Sequence, residues 1–239
     1  MQRNRLAALC CACLLAQCVQ APAARLAHEL PPGFCYVDEV APGVRADLKY
    51  AGSDNFVGRP IEGYRGKRPI LRRDVALALR QVADSLREQG YALLLWDAYR
   101  PLRALGDFRA WSRTADERTK AEFYPRITKQ GIYEGRYIGD SSEHTWGIAV
   151  DLTLVSLATG EEVDMGGRHD LLDPSSATDS PEVTPAQRAN RHRLRTAMQA
   201  AGFHNYSKEW WHYRLENSRP WAAYDFPVQD DYETAPHKD

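Results

Sequence analysis

Seven histidines occur in this 239-residue chain, and two of them occupy unusual settings. His144 lies in Ser142-Glu143-His144-Thr145-Trp146-Gly147-Ile148-Ala149-Val150-Asp151, and His212 closes Glu209-Trp210-Trp211-His212. Asp151 opens the apolar run Leu152-Thr153-Leu154, where a carboxylate is costly unless it is paired or bound to a metal. Gly147 lets the chain turn tightly between the two, so His144 can fold back beside Asp151. His212, between Trp211 and Tyr213, is likewise set inside an apolar run. Two imidazoles and one carboxylate that converge make a three-ligand zinc site with a free fourth position, the mark of a catalytic metal. Glu209 stands three residues before His212; if the chain turns ahead of the strand, its carboxylate can reach a water at such a metal and act as general base. The same spacing is equally compatible with a capping aspartate and two buried, hydrogen-bonded histidines.

The elements that must position these residues read as α+β, a central antiparallel sheet flanked by helices. Phe34–Val37 is a first strand, and residues 51–69, rich in Gly and Pro, are irregular. Val75, Leu79, Val82 and Leu86 fall on one face of a helix over Arg72–Gln89, which Gly90 stops. Tyr91–Trp96 is a buried strand, and a helix follows Pro101 to about Trp111. Residues 112–140 are polar and mixed, a loop with helical pieces. Ile148–Leu157 is a strand that turns at Thr159-Gly160 into Glu161–Met165. Thr184 caps a helix with Pro185 in its first turn, running to about Ala201, and Trp210–Leu215 is the last strand. Helices interleaved with hairpin-like strands separate this pattern from a doubly wound sheet. No strand leads into a Gly-rich phosphate loop, so nucleotide binding has no support.

Composition narrows the class. Lys and Arg number 31 against 32 Asp and Glu, with 44% hydrophobic residues and 10% aromatic ones, the profile of an ordinary globular chain. The near-neutral balance argues against nucleic acid as a partner. Arg3 and Arg5, the apolar run Leu6–Val19 and Ala21-Pro22-Ala23-Ala24 have the layout of a secretory signal over residues 1–23, cut after Ala23 or Ala24. Export, to the periplasm, is the expectation, with no membrane span once the leader is removed. Gln17 before Cys18 is a poor fit to a lipoprotein signal, so lipidation is the weaker reading. Cys10, Cys11, Cys13 and Cys18 leave with the leader, so Cys35 has no disulfide partner within the mature chain and reads as a small buried hydrophobe. Residues 24–239 form one domain, with a loose polar tail from about residue 229. Oligomeric state is not encoded in any feature of the sequence.

Taken together, Ser142-x-His144-x-x-Gly147-x-Ala149-x-Asp151 and Glu209-x-x-His212 resemble the D-alanyl-D-alanine dipeptidase family, the vancomycin-resistance type of zinc dipeptidase. That family belongs to the D-Ala-D-Ala metallopeptidases, which share a fold with the hedgehog signalling domain. Leu94-Leu95-Trp96-Asp97-Ala98-Tyr99-Arg100-Pro101, Asp54-Asn55-Phe56 and Asp225-Phe226-Pro227 also match family blocks, and the resemblance covers roughly residues 34–228.

The resemblance implies one zinc ion per chain, held by His144, Asp151 and His212, with Glu209 as the catalytic base. It implies that Arg100 stabilises the charged tetrahedral intermediate, which suits a guanidinium fixed at the end of a buried strand. On the residues alone, a surface ion pair between Arg100 and Asp97 is the simpler reading. Ser142 is implied to hydrogen-bond near the substrate or the ligand shell, and Asp170 to bind the substrate ammonium. His169 stands where an aromatic residue is expected. The implied reaction is hydrolysis of D-Ala-D-Ala to two D-alanines. Two other readings accompany it: a carboxypeptidase or endopeptidase of the same group acting on longer peptidoglycan stems, and a zinc-bearing binding module without hydrolysis. Glu209 and Arg100 count against the last, because binding alone needs neither.

Overall fold

The computed structural model describes residues 29–216 and 222–234; the segment read as a leader, with its four cysteines and expected cleavage site, lies outside them. In chain order the elements are β1 (Phe34–Tyr36), α1 (Val37–Val40), β2 (Arg45–Ala46), β3 (Ile70–Arg72), α2 (Arg73–Glu88), β4 (Tyr91–Asp97) and α3 (Leu102–Ser112). Then follow α4 (Lys120–Phe123), α5 (Lys129–Glu134), β5 (Ala149–Ser156), α6 (Pro185–Ala200), β6 (Phe203–Asn205) and β7 (His212–Leu215). The central sheet has the order β2-β4-β5-β7-β6. Every neighbouring pair is antiparallel except the short edge strand β2, which runs parallel to β4. β1 and β3 form a separate antiparallel pair.

Strands β4 and β5 are buried almost throughout, which is why they read as near-continuous apolar runs. Leu93 pairs with Leu154 and Leu95 with Leu152, so the four share one face of the sheet. They belong to a core with Val75, Leu79, Val82 and Leu86 of α2 and Leu194 and Met198 of α6. The start of α6 is fixed by a capping box between Thr184 and Gln187, with Pro185 in the first turn.

A second core is mostly aromatic and has little regular structure. Tyr36, Tyr50, Phe56, Tyr64, Tyr99, Phe108, Trp111 and Tyr124 pack together from segments between residues 34 and 124. The irregular segment expected over residues 51–69 is present, and Asn55 organises it. Its buried amide donates to the carbonyls of Lys49, Gly52 and Arg59 and accepts from the N–H groups of Val57 and Gly58.

Three details depart from the sequence reading. The strand expected over Glu161–Met165 reduces to one bridge, Val155 with Glu162, because the following residues are tied to α6 instead: Asp164 accepts from Gln187 and Asn190, and the Met165 carbonyl accepts from Arg191. The last strand starts at His212 rather than Trp210, since the His212 N–H closes a turn onto the Glu209 carbonyl. Residues 229–234 are docked rather than loose: Asp230 accepts from the N–H groups of Lys67 and Arg68, and the Tyr232 N–H donates to the Tyr36 hydroxyl. Cys35 is buried and unpaired, as a small core residue.

Candidate active site

The site begins with a shift of strand register. Leu95 pairs with Leu152, but Asp97, two residues on, pairs with Asp151 rather than with Val150. One residue, Trp96, is therefore extra on β4, as in a β-bulge, and Asp97 is re-aimed to the face opposite Leu95. Asp151 in turn pairs with His212 on β7. Asp97, Asp151 and His212 thus form a polar row across three adjacent strands, on the face away from Leu93, Leu95, Leu152 and Leu154. A 3₁₀ turn over Glu143–Trp146 brings His144 over this row. Gly147 ends that turn with φ of +73°, a left-handed conformation that favours glycine, and a Cβ there would meet Phe34 at 2.4 Å. Ser142 caps the turn by accepting from the His144 N–H, so its oxygen braces a candidate ligand.

Three donor atoms converge. His144 Nε2 lies 3.1 Å from His212 Nδ1. Asp151 Oδ1 lies 3.0 Å from His212 Nδ1 and 3.3 Å from His144 Nε2. A tetrahedron around a cation with bonds of 2.0–2.1 Å has edges of about 3.3 Å, so the spacing fits zinc. His144 Nδ1 sits 2.7 Å from the Ala98 carbonyl. A metal-bound ring would donate from Nδ1 there and turn its Nε2 lone pair towards the other two donors. Among the described residues, these three are the group of His, Cys, Asp and Glu whose ligand atoms lie within 4.8 Å of one another.

The surroundings are strongly anionic. Asp97, Asp151, Asp170 and Glu209 are all buried here, and Arg100 is the buried guanidinium among them. Arg100 donates from Nε to Asp97 Oδ2 at 2.9 Å, and its Nη2 lies 2.9 Å from the same oxygen and 3.6 Å from Asp151 Oδ2. The Arg100–Asp97 pair expected at the surface therefore forms in the interior, under the rings of Tyr50 and Phe108. The Tyr64 hydroxyl donates to the other Asp97 oxygen at 2.6 Å, so this carboxylate is tied on both sides. Carboxylates in such excess over cations suit a divalent metal and a substrate ammonium.

Environment separates the three buried acids in the wall of the cleft, Asp151, Glu209 and Asp170. For Asp151, burial alone would raise the carboxyl, but the charge of His144 and hydrogen bonds from His144, His169 and His212 hold it well below the usual range. For Glu209, burial and then the neighbouring charges of Asp151 and Asp170 push the carboxyl well above its ordinary value. A carboxylate that holds a proton readily, 4.0 Å from His212 Nδ1 and outside the donor triangle, suits a general base. Asp170 is raised mainly by burial; it has a left-handed φ of +58°, and its Oδ2 is buried without a partner. An unpaired buried carboxylate oxygen at the wall of a cleft is poised for a cation.

A cleft of about 750 Å³ contains Arg100, Ser142, His144, Asp151, Asp170, Glu209 and His212 in its walls. All seven residues singled out in the sequence thus meet at one place. Two contributors, Tyr64 and Tyr50, escaped that reading, and two others take a role it did not give them. Asp97 and Tyr64 anchor Arg100, Tyr50 lines the cleft, and His169 touches Asp151. The sequence reading makes Asp97 the partner of Arg100 at the surface; its place at the end of the apolar strand β4, the same signal that marked Asp151, pointed to its burial.

Comparison with known proteins agrees. The sequence family described as D-ala-D-ala dipeptidase matches residues 31–234. A D-alanyl-D-alanine dipeptidase of Streptomyces coelicolor is 44% identical over 197 residues, covering 82% of this chain and 98% of that protein. One from Enterococcus faecium is 41% identical over 199 residues with the same coverage, and one from Escherichia coli is 32% identical over 179 residues, covering 74% and 81%. The chain belongs to the D-alanyl-D-alanine dipeptidase family, an enzyme family of metallopeptidases.

Proposed function

We propose that this protein hydrolyses free D-Ala-D-Ala to two D-alanines, with one zinc ion per chain held by His144, Asp151 and His212. The observation that carries this reading is the triangle of donor atoms 3.0–3.3 Å on a side, with a buried glutamate beside it. When bound, zinc supplies Lewis-acid chemistry, polarising the scissile carbonyl and making water more acidic. Glu209 takes the proton from the attacking water and delivers it to the leaving amine. Its raised affinity for a proton suits both halves of that cycle. Arg100, held by Asp97 and Tyr64, donates to the oxygen that becomes negative; one such donor is commonly worth about a hundredfold or more in rate. Asp170 receives the substrate ammonium on its unpartnered oxygen.

Asp170 sets the substrate class. An N-acetylated dipeptide offers no cation to that buried carboxylate, and leaving it unpaired costs several kcal/mol. Parallel kinetics on free and N-acetyl D-Ala-D-Ala should show cleavage of the first and little of the second. Asp170→Asn should narrow the gap by weakening the free dipeptide. Comparable kcat/KM on both substrates would instead favour a carboxypeptidase acting on peptidoglycan stems.

A further inference from the structure

His169 lies between the two carboxylates on which the proposed chemistry depends. It is 4% exposed and boxed by rings: Tyr50 at 5.9 Å, Trp96 at 5.2 Å and Trp211 at 5.8 Å between centroids. A phenyl ring would fill such a box and leave no polar atom behind. The imidazole instead leaves Nδ1 buried without a partner, an unfavourable arrangement. What it gains is at Nε2, which lies 3.3 Å from Asp151 Oδ2 and 3.4 Å from Asp170 Oδ1.

The two oxygens of Asp151 are divided in their neighbours. Oδ1 faces His144 Nε2 and His212 Nδ1, whereas Oδ2 faces His169 Nε2 and Arg100 Nη2. A carboxylate free to rotate could turn either oxygen, or both, towards a metal. We infer that His169 is a positioning residue: its Nε2–H holds Asp151 Oδ2 so that Oδ1 alone is presented to the metal, and the same ring fixes Asp151 relative to Asp170. The metal position and the ammonium position are thereby kept in register through one side chain. Hydrogen bonds of this kind to a ligating group commonly change metal affinity by about 10–100-fold. The inference rests on the reading of Asp151 as a ligand.

The test measures zinc affinity of the metal-free protein by competition with a chromophoric chelator, a readout independent of turnover. His169→Phe keeps the ring and removes the donor; His169→Gln keeps a donor near the place of Nε2. The expected result is zinc binding weakened by about tenfold or more in His169→Phe and restored to within about threefold of the unaltered protein in His169→Gln. Circular dichroism monitors folding, and should His169→Phe fail to fold, His169→Met against His169→Gln makes the same comparison at similar volume. Zinc affinity unchanged in the variant lacking the donor, or no tighter with Gln than without it, would overturn the inference and leave the ligand reading intact. Absence of stoichiometric zinc binding by the unaltered protein would overturn the ligand reading and the inference with it.

Discussion

On one face of the central sheet, Leu93, Leu95, Leu152 and Leu154 pack with α2 and α6, elements whose apolar residues recur at helical spacing. On the other, Asp97, Asp151 and His212 meet Arg100, His169 and Asp170 beneath an aromatic layer drawn from irregular segments. The same two strands serve both. Continuous burial of β4 and β5 gives the row of polar residues a rigid base, and one extra residue at Trp96 decides which face Asp97 joins. The helix-backed face is replaceable in its details provided volume is kept; the cleft face depends on individual atoms.

Substitutions on the two faces should therefore fail differently. The largest effect belongs to the donor triangle: His144→Ala, Asp151→Ala and His212→Ala should each lose zinc and turnover together. Glu209→Ala should lose about 10²–10⁴ in kcat while zinc content, read by elemental analysis, stays near one per chain. A zinc-free Glu209→Ala protein would mean that this carboxylate is a ligand and not the base.

Arg100→Lys should come next. Lys keeps the charge but lacks the planar fork held by Asp97, so kcat should fall by about a hundredfold with a smaller change in KM. A change confined to KM would place Arg100 on the substrate carboxylate in the ground state. The smallest effect on turnover should come from the opposite face. Leu79→Ala, fully buried in α2, should cost about 2–5 kcal/mol in denaturant unfolding yet leave kcat of the folded protein within about twofold. A large kcat defect there would show that the two faces are not separable.

The two faces also differed in how far the sequence disclosed them. Helix Arg73–Glu88, strand Tyr91–Asp97 and strand Ala149–Ser156 lie within two residues of their expected bounds, because periodicity and short apolar runs report burial directly. Asp151 and His212 stood out because polar residues in apolar runs demand a reason, His144 by its place before Gly147 and Asp151, and Glu209 by its offset of three from His212. The bulge at Trp96 did not, since it appears only when the pairing of β4 with β5 is known. Tyr50 carries no local signal; Asn55 shapes the segment that brings it to the cleft. Residues 229–234 look like a tail by composition, yet Tyr232 and Asp230 tie them to Tyr36 and to residues 67–68. The bulge and the docked tail are contacts between segments distant in sequence, whereas the Asn55 turn is local but irregular and so leaves no periodic trace.

The central claim is a metal-dependent centre at His144, Asp151 and His212. Its most direct test is release of free D-alanine from D-Ala-D-Ala by the purified protein, measured before treatment with a chelator, after it, and after zinc is added back. A metal-dependent centre predicts turnover that is lost with the metal and restored by about one equivalent of zinc per chain. Turnover that persists in fully metal-free protein, or a zinc-loaded protein that releases no D-alanine, would contradict it.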